Sequence, residues 1–367
     1  MRSLQLGLIL AFTMLISNLA YSSLTWQETQ IPINTSNGTI KLEALLVFPN
    51  DKVPHPLALI SPGSPRNASA RPNMTALSYL PIANEFARRG YSVAVVLRRG
   101  YGSSEGGWAE SFGPCKNPDY IKAAQAAAAD LHATVDYLGT LKQFNTNKII
   151  AVGVSAGGFA TLAFTAINPP PGLKAAISFA GGRGSLANDT VCNADALTSA
   201  FAELGKTSRL PTLWVYAQND HFFNPTLAEK LLSAFKASGG NATFIQAGAF
   251  GKEGHFLFSN AGISKWTPIV DNFLKSQNLA LVDAPLPLPV SSLEAPSYLS
   301  NSAKQAFSLY KKNAPHKAFA VSKNGAYGWR SGQRTQEIAE KNAMDYCKQY
   351  SNSKECKLIA VDDKILR

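Results

Sequence analysis

Between Thr39 and Asn278, short apolar runs alternate with longer stretches in which apolar residues recur every three or four positions. The runs Ile40–Phe48, Pro56–Ser61, Ser92–Leu97, Lys148–Val154, Lys174–Phe179, Thr212–Ala217 and Thr243–Ala247 have apolar centres, the pattern of strands buried on both faces. The segments Ala76–Arg89, Asp119–Leu138, Phe159–Ala166, Pro225–Ser238 and Ser264–Ser276 predict helices, and Gly90, Gly139 and Gly239 stand where three of them stop. This alternation predicts an α/β fold, a mostly parallel sheet with helices on both faces.

The periodicity ends after Asn278. Leu279–Ser297 carries Pro285, Pro287, Pro289 and Pro296 and little charge, a composition that suits an extended linker. Beyond it, Ser302–Lys312 and Thr335–Tyr350 predict helices and Ala318–Ser322 and Lys357–Val361 predict strands, giving a small α+β module. The expected organisation is residues 1–22 as a signal peptide, 23–278 as the α/β domain, 279–297 as linker and 298–367 as the C-terminal module. A linker of this kind predicts a module dispensable for the chemistry of the first domain.

The signal peptide rests on Arg2 ahead of an apolar run that turns polar at Ser17 and Asn18. Small residues allow cleavage after Ser22 or after Ala20. The run is shorter than the roughly 20 apolar residues a membrane span needs, so a periplasmic or secreted mature chain without a transmembrane segment is expected.

Charge separates the two parts of the chain. The 35 Lys and Arg against 24 Asp and Glu give +11. From Asn301 onward there are 13 basic and 6 acidic residues, 13 − 6 = +7, which leaves 11 − 7 = +4 for the rest. No nucleic-acid-binding motif accompanies this charge, so the expected partner of the basic module is an anionic envelope surface. Four cysteines in an exported chain favour disulfides, and the absence of Cys-x-x-Cys pairs argues against a metal centre. Pairing within each part, Cys115 with Cys192 and Cys347 with Cys356, is the simplest expectation.

The strongest chemical signal is Gly153-Val154-Ser155-Ala156-Gly157, lying directly after the apolar run Lys148-Ile149-Ile150-Ala151-Val152 and directly before a helix starting near Phe159. A serine on a sharp strand-to-helix turn has its hydroxyl exposed, and small residues two positions either side let the turn close. The amide of Ala156 then points at a developing oxyanion. A serine nucleophile needs a base held by a carboxylate, in the order serine, acid, histidine along the chain. Asp220, at the end of the Thr212–Ala217 strand, and His255, in a loop before the last helix of the domain, fit that order; Asp189 and Asp195 are alternative acids, and His221 is the rival base. The second oxyanion amide is expected in Ser61-Pro62-Gly63-Ser64-Pro65, where prolines lack N–H groups, so Ser64 leads and Gly63 follows. The Arg98-Arg99-Gly100-Tyr101-Gly102 loop is expected to line the pocket floor, with Tyr101 as a candidate substrate contact.

With these residues in hand, Thr39 to Asn278, about two thirds of the chain, resembles the α/β-hydrolases of the dienelactone hydrolase and prolyl oligopeptidase group. The Ser155 elbow, the Arg99-Gly100-Tyr101-Gly102 loop, Asp220 and Gly254-His255 match that group in order. The resemblance implies a serine hydrolase acting on esters or peptides without a cofactor. Two positions depart from it: dienelactone hydrolases proper carry a Cys nucleophile, and the group has His-Gly where Pro62-Gly63 stands here. The C-terminal module resembles a small Cys-containing module of exported bacterial proteins, which implies a disulfide and no chemistry. A carboxylesterase acting on a small-molecule ester is the leading expectation; a peptidase of the same fold and a non-catalytic envelope-binding protein are the alternatives. The segment from Gly181 to Leu210 is expected to form a short lid, stapled through Cys192, that leaves the pocket open to short acyl groups.

Overall fold

The predicted apolar runs all become strands of one eight-stranded sheet. The computed structural model describes residues 24–366 except 36–37, 52, 289–290 and 352–354. The expected signal peptide and Pro289 lie outside the described residues. In chain order the first unit contains β1 (Leu24–Thr35), β2 (Gly38–Pro49), β3 (His55–Ser61), α1 (Leu80–Ala87), β4 (Ser92–Val96), α2 (Tyr120–Leu138), β5 (Phe144–Val154), α3 (Ala156–Ala166) and β6 (Leu173–Phe179). It continues through the hairpin β7 (Ser185–Ala187) and β8 (Thr190–Val191), then α4 (Ala194–Gly205), β9 (Thr212–Ala217), α5 (Pro225–Ala237), β10 (Ala242–Ala247) and α6 (Ile263–Ser276).

The strand order is β1-β2-β4-β3-β5-β6-β9-β10, antiparallel at the β1, β2 and β4 pairings and parallel from β4 through β10. Alternate residues of the central strands enter different cores. Ala58 and Ile60 join the side chains of α1 and α6, including Phe86 and Trp266, while Leu57 and Leu59 face α2 and α3 through Leu131 and Phe164. Burial on both sides is why these strands read as continuous apolar runs. The parallel arrangement sends the C-terminal ends of β3, β5, β6 and β9 to one edge of the sheet, where their loops meet.

The second unit contains α7 (Asn301–Tyr310), β11 (Ala318–Val321), β12 (Tyr327–Arg330), α8 (Gln336–Tyr350), β13 (Lys357–Val361) and β14 (Lys364–Ile365). Its antiparallel sheet runs β12-β11-β13-β14 around its own core of Phe307, Tyr310 and Phe319. The expected linker does not stand free of the first unit. Arg88 donates from Nε to the Leu286 carbonyl, the Leu286 amide donates to the Arg88 carbonyl, and Tyr91 donates its hydroxyl to the Leu279 carbonyl. The module also docks: Thr75 Oγ1 donates to the Gly332 carbonyl, Arg334 pairs with Glu43 of β2 at 3.0 Å, and Ala314 is buried in the core beneath α1 and α6.

Both expected disulfides are present, Cys115–Cys192 and Cys347–Cys356. Among the described residues no helix is long and apolar enough to cross a membrane.

Candidate active site

Ser155 follows β5 and precedes α3 with φ 56° and ψ −124°, a conformation that disfavours any residue with a Cβ. Its glycine neighbours explain how the turn closes. A Cβ on Gly157 would strike the Ser61 carbonyl, and one on Gly153 would strike the Gly157 carbonyl, so α3 seats directly against the end of β3. The same closeness brings Gly63 over the elbow, where an added Cβ would lie 3.0 Å from Ser155 Cβ and 3.7 Å from its Oγ.

Asp220 and His255 meet across the loops that follow β9 and β10. Asp220 Oδ1 accepts the amides of Phe222 at 2.8 Å and Phe223 at 2.9 Å, which fixes the carboxylate and leaves Oδ2 to accept from His255 Nδ1 at 3.1 Å. With Nδ1–H directed at Asp220, Nε2 is the ring nitrogen left to take a proton. The imidazole stacks on Phe222, ring centroids 3.9 Å apart and 6° from parallel, and the Arg66 guanidinium caps the other side of Phe222 at 3.4 Å. The rival assignments are engaged elsewhere. His221 pairs with Asp189 at 2.9 Å on the surface, and Asp195 pairs with Lys230 at 2.6 Å.

Ser155, Ala156, Ser64, Phe222 and Phe223 line one cavity of about 270 Å³, whose remaining wall includes Arg66, Arg71, Trp108 and Arg183. The oxyanion loop is set by its neighbours. Arg98 donates from Nη1 to the Pro62 carbonyl at 3.0 Å, and the following amide, Gly63, faces the phenol oxygen of Tyr79, which burial pushes up to about 12. Gly63 is thereby engaged, and Ser64 and Pro65 are the residues of the turn that line the cavity.

Tyr101 is a correction. Its ring is 1% exposed and its hydroxyl donates to Glu110 Oε2 at 2.9 Å, with Trp108 lying edge-on above it. It lies against the Ser64 hydroxyl from beneath and braces the loop, while Trp108 takes the place at the cavity wall. Burial and the Glu110 charge both raise the phenol's pKa, as expected of a group enclosed on a carboxylate.

Glu110 and Arg183 carry no motif and escape sequence reasoning. Glu110 is fully buried between Arg98, bonded through Nε, and Arg183, whose Nη2 lies 2.6 Å from Oε2. Burial pushes the Glu110 carboxyl up, but the two guanidinium charges outweigh it and hold the group down at about 2.

Residues 37–220, half of the chain, match the family model for X-Pro dipeptidyl-peptidases of the S15 family. The chain belongs to the S15 family. The matched region contains Ser155 and ends at Asp220; His255 lies beyond it. No curated protein matches the S15 chain. Among solved structures it is similar to an aminopeptidase from the marine sediment archaeon Thaumarchaeota archaeon, at 17% identity and TM-score 0.50, over 74% of this chain and 57% of that one. It is also similar to an esterase of Pyrococcus furiosus, at 14% identity and TM-score 0.48, over 68% of this chain and 90% of that one. A third is the dipeptidyl peptidase 4 of Porphyromonas gingivalis, at 18% identity and TM-score 0.48, over 71% of this chain and 36% of that one. The S15 protein has the α/β-hydrolase fold and is a hydrolase of the serine esterase or peptidase type.

Proposed function

We propose that this S15 chain is an exported carboxylesterase that hydrolyses small or exposed acyl esters through an acyl-enzyme on Ser155. One observation carries the reading: Ser155 stands on the strained elbow in a cavity, and the two loops beside it hold the Asp220–His255 pair. His255 Nε2 takes the Ser155 proton as Oγ attacks the acyl carbon. The amides of Ala156 and Ser64 receive the oxyanion, and Asp220 holds the imidazolium. His255 then gives its proton to the departing alkoxide, and a water activated by the same nitrogen releases the acid.

The cavity favours ester over dipeptide. Release of an X-Pro dipeptide requires a site for the α-ammonium group, whereas the described residues lining this cavity include three arginines and no Asp or Glu. At about 270 Å³ it lies at the small end of ligand sites, which supports short acyl groups. Export is supported by two disulfides that use all four cysteines.

A panel of p-nitrophenyl esters of rising chain length, run beside Gly-Pro p-nitroanilide, tests this reading. Acetate and butyrate esters are expected to turn over faster than long-chain esters and the anilide, and Ser155→Ala is expected to lower ester turnover by about 10⁴-fold with the fold intact. A faster anilide, or a variant as active as the parent, overturns it.

A further inference from the structure

The wall of the Ser155 cavity holds more positive charge than the fold neutralises. Arg98 and Arg183 share the single carboxylate of Glu110, so two buried guanidinium groups stand against one anion. Arg183 is 4% exposed, lines the cavity, and its buried Nε has no hydrogen-bond partner among the described residues. Arg71 lies across the cavity with its guanidinium 3.6 Å above the Trp108 ring, and among the described residues it has no ion pair and no side-chain hydrogen bond. Arg66 gives its donors to neutral acceptors, Ser185 Oγ, Asn188 Oδ1 and the carbonyls of Ala187 and His221. Asp189, which feels the Arg66 charge, accepts from His221 at the surface instead of entering the cavity.

Buried guanidinium groups that share one counter-ion favour a further anion beside them, and an unpaired guanidinium offers a planar fork that matches a carboxylate. We infer that the cavity selects esters that carry a second, ionised carboxylate, held by Arg71 and drawn in by the surplus positive charge of the Arg98–Arg183 pair on Glu110. This rests on the Ser155 ester-hydrolase reading for its chemistry but not for its binding. The competing use of the charge, stabilisation of the oxyanion alone, favours charged and neutral esters equally.

The experiment compares kcat/KM for 4-acetoxybenzoate and for its methyl ester, the same acyl group with and without a carboxylate, in the parent protein and in Arg71→Gln. The charged-to-neutral ratio is expected to fall about tenfold or more in the variant, the size of a lost charge-assisted hydrogen bond, and to fall in the parent as NaCl rises from low salt to about 1 M. A ratio unmoved by both Arg71→Gln and salt overturns the inference. If neither ester is hydrolysed, the esterase reading fails and binding decides this one. Calorimetric titration of the Ser155→Ala protein with 4-acetoxybenzoate is expected to show binding that weakens with salt and with added Arg71→Gln. Absence of binding, or equal binding of the methyl ester, overturns it.

Discussion

Two guanidinium groups converge on Glu110, and its ionisation is therefore tied to the integrity of the cavity wall. Its carboxyl sits at about 2 in the folded protein against an ordinary 4.5. A depressed acid stabilises the fold fully above the ordinary value and loses that contribution as pH falls through the folded one, here between about 4.5 and 2. The difference corresponds to about 3 kcal/mol. Glu110→Gln is expected to cost about 3 to 5 kcal/mol at pH 7 by leaving Arg98 and Arg183 without an anion, and to flatten the acid limb of a urea-melting series between pH 4.5 and 2. The Ser155 turn and the Asp220–His255 contact were legible because the three residues lie in loops that follow strands, in the chain order serine, acid, histidine. Glu110 and Arg183 were not, because a lone charge in a loop reads as solvated until the fold closes around it. Tyr101 was misread for the same reason, since nothing local says that a loop tyrosine is enclosed by Trp108 and Glu110.

At the scale of elements, the two walls of the cavity are separate loops joined by one covalent bond. Ser111, Phe112 and Gly113 stand on the segment before Cys115, Gly184 to Leu186 on the hairpin before Cys192, and the disulfide ties them across 77 residues. Closing a loop of that length constrains the unfolded chain by about 4 kcal/mol in the chain-entropy account. The double variant Cys115→Ser, Cys192→Ser is expected to lose about 2 to 4 kcal/mol in urea unfolding. An unchanged midpoint would place the bond outside the folding unit. The buried strands were readable to within a residue or two at most ends. β1 was missed because it is an edge strand whose residues Gln27, Glu28 and Gln30 face water, which erases the apolar run. α4 carried a signal that went unused: Leu197, Ala200, Phe201 and Leu204 repeat at helical spacing behind the cap Asn193. The segment expected to form a short lid consists of a hairpin and a packed helix.

At the scale of the whole molecule, the proline-rich segment predicts separation and the structure shows attachment. Composition reports that Leu279–Ser297 cannot be helix or sheet; it does not report which surface the extended chain lies on. Deletion after Asn278 removes the Arg334 partner of Glu43, whose side chain is 6% exposed, and uncovers the site of Ala314. The deletion is expected to lower the thermal midpoint and to destabilise the hydrolase unit by roughly 2 to 4 kcal/mol, in place of the dispensability that the linker composition predicts. An identical midpoint with and without the module would show that the docking contributes nothing. The Glu43 pairing also bears on descent. Glu43 Oε2 accepts from the Ser103 amide at 2.8 Å and its hydroxyl at 2.7 Å as well as from Arg334, and Oε1 accepts from the Ala76 amide. One carboxylate thus serves both units at once. A lineage that discards or swaps the module inherits on β2 a hydrogen-bonded carboxylate that has lost its Arg334 counter-charge, which favours changing Glu43 in the same step, so the two parts are expected to pass from ancestor to descendant as a single heritable piece.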